Sequence, residues 1–81
     1  MHNICVFYQP FSMNQKIIVY DSEGKTIESK EVSIDRVIDC TRGLASKYGT
    51  SNVTLHGSKE YLLKFKKEFA TKYNTLNVTI F

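Results

Sequence analysis

The sequence contains no tryptophan, a single proline, two cysteines and no long apolar run. Two cysteines, Cys5 and Cys40, cannot staple a disulfide-rich scaffold, and they do not form the Cys-x-x-Cys spacing of redox or zinc sites. No stretch approaches the ~20 apolar residues of a transmembrane helix. The first residues lack the basic start, apolar run and cleavage site of a signal peptide. We therefore expect a cytoplasmic protein in which both cysteines are buried free thiols.

A strong charge of either sign is also missing. The chain has 11 basic and 8 acidic residues, for a net charge of +3, which permits weak attraction to a polyanion without implying it. Nine of the basic residues are lysines and two are arginines. Arginine is the residue that usually recognises bases and phosphates with paired hydrogen bonds, so this ratio argues against sequence-specific nucleic-acid recognition.

The remaining composition is that of an ordinary globular protein, with 42% hydrophobic and 23% charged residues. A chain of 81 residues holds one modest hydrophobic core. We predict one α/β domain over residues 1–81, with no linker and no targeting segment.

Three strands are predicted in the first part of the chain. Ile4–Tyr8 is a short, unbroken apolar run, which is typical of a central strand buried on both faces. Lys16–Tyr20 and Thr26–Val32 should form a hairpin, because Gly24 can adopt the conformation that such a turn requires. The charged residues of Thr26–Val32 indicate an edge strand.

Two helix–turn–strand units follow. Ser33 and Ser58 are predicted N-caps, and each precedes a segment with apolar residues at helical spacing. Gly49 should end the first helix. Nine residues from Lys47 recur from Lys72 with six identities. Two copies are too few for a solenoid, so this repeat predicts two similar units lying side by side.

The element order β-β-β-α-β-α-β predicts a mixed five-stranded sheet. Helical crossovers are right-handed and join parallel strands, and the most apolar strand belongs in the centre, so the expected strand order is 3-2-1-4-5. This order resembles that of ribonuclease H-like domains in miniature, although no sequence motif of that family is present. The resemblance implies a fold whose enzymes carry acidic metal ligands on central strands. Ile4–Tyr8 and Val53–His56 carry no acid, so we expect neither that metal site nor a cofactor.

No catalytic motif stands out. His2 and His56 are far apart, no metal-ligand spacing occurs, and there is no glycine-rich phosphate loop. We expect a protein that is not an enzyme.

The first candidate surface lies where two parallel strands end. The loop after the first strand carries Phe11 and Met13 among polar residues, and exposed apolar loop residues often mark partner contacts. The turn after the neighbouring strand begins a helix, where backbone N–H groups can receive an anion. We call these residues the carboxyl-end surface: Gln9, Phe11, Ser12, Met13, His56, Gly57, Ser58 and Lys59. The alternatives are a loop packed into the domain and an ordinary capped turn.

Two further surfaces are candidates. The last strand is an uncharged edge that invites strand pairing with a partner or a second copy, unless Phe81 covers it; its residues are Asn77, Val78, Thr79, Ile80 and Phe81. The second helix offers a contact for a polyanion, with a solvated helix face as the alternative; its lysines are Lys59, Lys64, Lys66, Lys67 and Lys72.

The sequence predicts a small non-enzymatic protein-binding module, acting as an adaptor or as an inhibitor of a larger, unidentified protein. Size alone suggests a phage or mobile element as its source. The alternative is a non-specific nucleic-acid-binding protein that uses the lysine-rich second helix.

Overall fold

Alternation of apolar and polar residues along the strands, followed by two amphipathic segments, produces a mixed five-stranded sheet and two helices. The computed structural model describes all 81 residues. The elements are β1 (Asn3–Phe7), β2 (Asn14–Tyr20), β3 (Thr26–Ser33), a 3-10 turn (Ile34–Arg36), α1 (Val37–Tyr48), β4 (Asn52–His56), α2 (Lys59–Lys72) and β5 (Asn77–Ile80). The strand order is β3-β2-β1-β4-β5, which confirms the predicted topology.

Strand β1 lies at the centre of this sheet. It pairs antiparallel with β2, where Cys5 faces Ile18, and parallel with β4, where Cys5 faces Thr54. Strand β5 pairs in parallel with the outer side of β4 and is one edge of the sheet. The charged strand β3 is the other edge, as predicted.

Both helices cover the same face of the sheet. Two right-handed crossovers that proceed in one direction across a sheet place their helices on one side. Inward side chains of the strands therefore pack against both helices in a single core. The buried apolar residues are Ile4, Val6, Tyr8, Ile17, Val19, Val37, Leu44, Ala45, Val53, Leu55, Leu62, Phe65 and Phe69.

The prediction that β1 is buried on both faces is wrong. Ile4 and Val6 are fully buried beneath the helices, whereas Cys5 and Phe7 point to the other face and are only half-buried. Sequence alternation could not reveal this, because β1 is apolar at both sets of positions. The chain thus has an open sheet face that no helix covers.

The cysteines also differ from expectation. Both are free thiols, but Cys5 and Cys40 are half-buried rather than buried. Cys5 lies on the open sheet face, and desolvation there raises the pKa of its thiol. A raised pKa keeps the thiol protonated and makes it a poor nucleophile.

The first α-helix begins later in the sequence than the predicted N-cap, Ser33, indicates. A 3-10 turn comes first, and the α-helix starts at Val37. The Ser33 hydroxyl donates a hydrogen bond to Asp35 over 2.7 Å instead of capping a backbone N–H. Gly49 ends the helix in the left-handed conformation, as predicted.

The Lys-Tyr pair that recurs in the sequence repeat binds a carboxylate in both helix–turn–strand units. Lys47 binds the Glu28 carboxylate of β3 over 2.8 Å, and the Tyr48 hydroxyl donates to the same oxygen. Lys72 and the Tyr73 hydroxyl hold Asp39 of α1 over 2.8 and 2.7 Å. Each pair fastens the end of its helix to the preceding part of the fold. We call these two arrangements the carboxylate clamps.

The clamp on Glu28 has a pH signature. Its hydrogen bonds from Lys47 and Tyr48 stabilise the charged carboxylate and lower the pKa of Glu28 to about 2. An unfolded glutamate titrates near pH ~4.3. The stabilisation is therefore complete above that pH and is lost as the pH falls towards the folded pKa.

Replacing Glu28 with Gln should lower the melting temperature most at neutral pH. The difference from wild type should shrink between about pH 5 and about pH 2, where the native carboxylate becomes protonated. Thermal melts followed by circular dichroism across this range measure it. Glu31→Gln is the matched control, because Glu31 lies on the same strand and makes no salt bridge. If the melting temperature of Glu28→Gln stays below that of wild type by the same amount from pH 7 to pH 2, the stabilising role of the Glu28 clamp is contradicted.

Candidate functional site

The loop between β1 and β2 is organised by one buried amide. Gln15 faces the covered side of the sheet and is 1% exposed. Its Nε2 donates to the Gln9 and Ser12 carbonyl oxygens over 3.0 and 2.8 Å, and its Oε1 accepts from the Gln9 N–H. A buried amide must satisfy its hydrogen-bonding groups, so Gln15 ties the loop to the sheet.

The two apolar residues of this loop point outward. Phe11 is 103% exposed and Met13 is 78% exposed, so the alternative of a loop tucked into the core does not hold. The backbone around them is held by hydrogen bonds from Ser12 N–H to the Gln9 carbonyl and from Ile34 N–H to the Met13 carbonyl. The loop thus presents an exposed aromatic ring and an exposed thioether on a fastened backbone.

The turn after β4 lies directly beside the end of β1. Tyr8 N–H donates to the His56 carbonyl over 2.9 Å, which extends the parallel pairing into the turn. Gly57 follows with a φ of 148°, and a Cβ there would lie 3.0 Å from the Tyr8 carbonyl oxygen. Glycine is needed at this position both for the conformation and for the close approach.

The start of α2 completes this end of the sheet. Ser58 is the residue before the helix, but its side chain makes no capping hydrogen bond. Lys59 is exposed. The structure places the turn beside the strand from which the Phe11 loop departs, so the carboxyl-end surface joins exposed apolar, polar and basic groups at one end of the sheet.

The open sheet face carries an aromatic stack that the sequence does not predict. The His56 ring lies 4.6 Å from the Phe7 ring and 4.9 Å from the Phe81 ring, measured between centroids. The His56 Nε2 is buried and has no hydrogen-bond partner. Successive residues of a strand face opposite sides of the sheet, so the buried Leu55 indicates that His56 points to the open face. Only the strand register shows that Phe7 is the neighbour of His56.

The edge strand β5 is uncovered. Phe81 is 86% exposed and stacks towards His56 on the open face, so its ring does not shield the outer edge. Val78 and Ile80 face the helices and are half-buried. Asn77 and Thr79 alternate with them and are exposed.

The five lysines of α2 are not equivalent. Lys72 is paired with Asp39 in a carboxylate clamp. Four exposed lysines make no salt bridge: Lys59, Lys64, Lys66 and Lys67. They spread around the outer side of the helix, since successive residues are rotated by about 100°.

No three histidine, cysteine, aspartate or glutamate side chains are grouped so that they could hold a metal ion. No helix is both long enough and apolar enough to cross a membrane. The sequence matches no protein-family model. A search of curated proteins finds no match either.

Replacing Gln15 with Leu should destabilise the domain by about 1–3 kcal/mol, because the loop backbone groups that it binds would lose their partners. Urea denaturation of the variant and of wild type measures this difference. Gln9→Leu is the control, since the exposed Gln9 contributes only backbone groups to the network. A change of less than about 0.5 kcal/mol, as at an ordinary surface position, would show that the amide does not hold the loop.

Proposed function

We propose that this protein is a non-enzymatic protein-binding module, an adaptor or inhibitor, that captures its partner through the carboxyl-end surface. The observation that carries the proposal is the exposure of Phe11 on a loop fastened by Gln15. A soluble domain gains nothing for its own core from a fully exposed phenylalanine, whereas aromatic residues supply much of the binding energy at protein interfaces.

Fastening of the loop supports binding in a second way. Association costs free energy when loops and side chains become ordered, and a loop that is already ordered avoids part of that cost. The Gln15 hydrogen bonds and the Ile34 N–H bond to Met13 fix the backbone before any partner arrives. Phe11 can therefore enter a partner's pocket with little rearrangement of the main chain.

The surroundings of Phe11 and Met13 are suited to the rim of an interface. Ser12, half-exposed within the loop, and the exposed Lys59 at the start of α2 provide polar and basic groups. Interfaces commonly consist of an apolar centre with a polar, hydrated rim. We infer that Phe11 and Met13 form the centre and that the turn from His56 to Lys59 forms one side of the rim.

Non-specific binding of nucleic acid is the second candidate function. The four unpaired lysines of α2 favour it, because lysines that neutralise phosphates release counterions and give affinity that falls steeply with salt. Their spread around the helix opposes it, since a nucleic-acid surface concentrates its charge on one side. The first proposal is therefore preferred.

Changing both Phe11 and Met13 to Ser should abolish partner capture while leaving the melting temperature close to that of wild type, because both side chains are exposed. The tagged protein is used to capture material from a lysate of its natural host, with and without nuclease. Ile27→Thr is the matched control: it removes another exposed apolar side chain, 40% exposed on the edge strand β3. The control should capture as wild type does.

The proposal is supported if wild type and Ile27→Thr both capture one protein at a stoichiometric level and nuclease does not remove it. The Phe11/Met13 variant should fail to capture that protein. Undiminished capture by the folded double variant contradicts it. If nuclease treatment removes the captured material, the result instead supports nucleic-acid binding by the lysines of α2. In that case fluorescence anisotropy with single- and double-stranded oligonucleotides should show binding that weakens with salt.

A further inference from the structure

The outer edge of β5 has backbone groups that the fold leaves without a strand partner. Asn77 N–H donates to Ser51 and Phe81 N–H donates to Leu55, so the odd-numbered residues of β5 bind β4. Successive residues of a strand direct their backbone groups to opposite sides. Val78 and Ile80 therefore direct their N–H and carbonyl groups away from the sheet, where no further strand follows.

One flank of α2 lies above this edge. Glu68 and Lys72 line the groove towards α1, and Lys72 reaches Asp39 across it. The stripe Leu62, Phe65 and Phe69 faces the sheet. Helical rotation of about 100° per residue then assigns the opposite flank, on the side of β5, to Lys59, Leu63, Lys66 and Ala70.

This flank is basic and partly apolar. Lys59, Lys66 and Ala70 are exposed, and Leu63 is 45% exposed, although most leucines of the helix and sheet face the core. The acidic residues of α2, Glu60 and Glu68, lie elsewhere on the helix, and β5 itself carries no charged side chain. A strand added to this edge would meet two unpaired ammonium groups and a leucine.

The charges select the kind of strand. Pairing of β5 with β5 of a second copy would bring both basic flanks together across the symmetry axis, and like charges oppose such an interface. An extended segment with carboxylate side chains would instead pair with Lys59 and Lys66 while its backbone binds Val78 and Ile80. We propose that the β5 edge binds an acidic, extended segment of a partner protein by strand addition.

The proposal does not depend on the carboxyl-end surface. The Phe11 loop connects β1 to β2, whereas β5 lies beyond β4 on the other side of β1. Lys59 belongs to both surfaces, but Lys66 belongs only to the flank above β5. Changes at Lys66 therefore test the edge alone, and the Phe11/Met13 variant tests the loop alone.

The probe is a short synthetic peptide in which threonine alternates with glutamate, compared with a peptide in which lysine replaces glutamate. Nuclear magnetic resonance measures its affinity and the hydrogen exchange of individual amides. The glutamate peptide should bind and slow exchange at Val78 and Ile80 by roughly tenfold or more when saturating, because those N–H groups become hydrogen-bonded. The lysine peptide should not bind.

Two charge variants on the same helix give a matched comparison. Lys66→Glu should weaken binding of the glutamate peptide by about tenfold, a difference of ~1.4 kcal/mol. Lys64→Glu makes the same charge change on the side of the helix away from β5 and should weaken it by less than about twofold, as expected for a screened, distant charge. Both positions are exposed, so both variants should fold.

A backbone variant tests the geometry. Val78→Pro removes an outward N–H while the hydrogen bonds of Asn77 and Phe81 to β4 remain, and proline is tolerated on edge strands. It should abolish peptide binding. Binding of the glutamate peptide by the folded Val78→Pro variant would overturn the proposal. So would equal binding of the lysine peptide by wild type, or equal losses of affinity in Lys64→Glu and Lys66→Glu. Slower hydrogen exchange that is confined to the amides of β3 would also overturn it. A wild-type dimer in analytical ultracentrifugation that Val78→Pro dissociates would also overturn it, because the occupant would then be a second copy.

Discussion

The structure depends on the fact that only one face of its sheet is covered. Two right-handed crossovers in one direction place both helices on the same side, and the inward residues of β1, β2 and β4 form the core with them. Every strand position is thereby assigned either to the core or to the open face. Gln15 falls on the covered side and becomes a buried polar residue, while His56 falls on the open side between Phe7 and Phe81.

Burial of Gln15 connects packing with the candidate site. A buried amide without partners would be costly, and its partners here are the backbone groups of Gln9 and Ser12. The same interaction that satisfies the core fastens the loop that displays Phe11. At the other end of the sheet, the carboxylate clamps of Glu28 and Asp39 secure both helices. The Gln15 hydrogen bonds and the carboxylate clamps thus lie at opposite ends of the sheet, and Phe11 and Met13 are exposed at the end where Gln15 binds the loop.

Much of the architecture could be predicted from the sequence, because turns, helix stripes and crossover rules act locally. The strand order, the charged edge β3 and the left-handed Gly49 are examples. The open face could not be predicted, since β1 is apolar at every position from Ile4 to Phe7 and therefore shows no alternation of apolar and polar residues there. The carboxylate clamps could not be predicted for a different reason. The sequence repeat shows that Lys47 and Tyr48 recur as Lys72 and Tyr73, but it does not identify their partner Glu28, which is distant in sequence. The exposure of Phe11 could not be predicted either, because the sequence does not show that the Gln15 side chain is buried and binds the backbone of Gln9 and Ser12.

We propose that the buried amide of Gln15 holds the exposed Phe11 loop in one conformation before a partner binds. Backbone ¹⁵N relaxation of the free protein tests this directly, because it reports the order of the Phe11 and Ser12 N–H vectors without any partner. We expect order parameters near the ~0.85 of rigid backbone, comparable with those of the adjoining strands, although Phe11 is 103% exposed. Values below about 0.6, which mark a flexible segment, would contradict it.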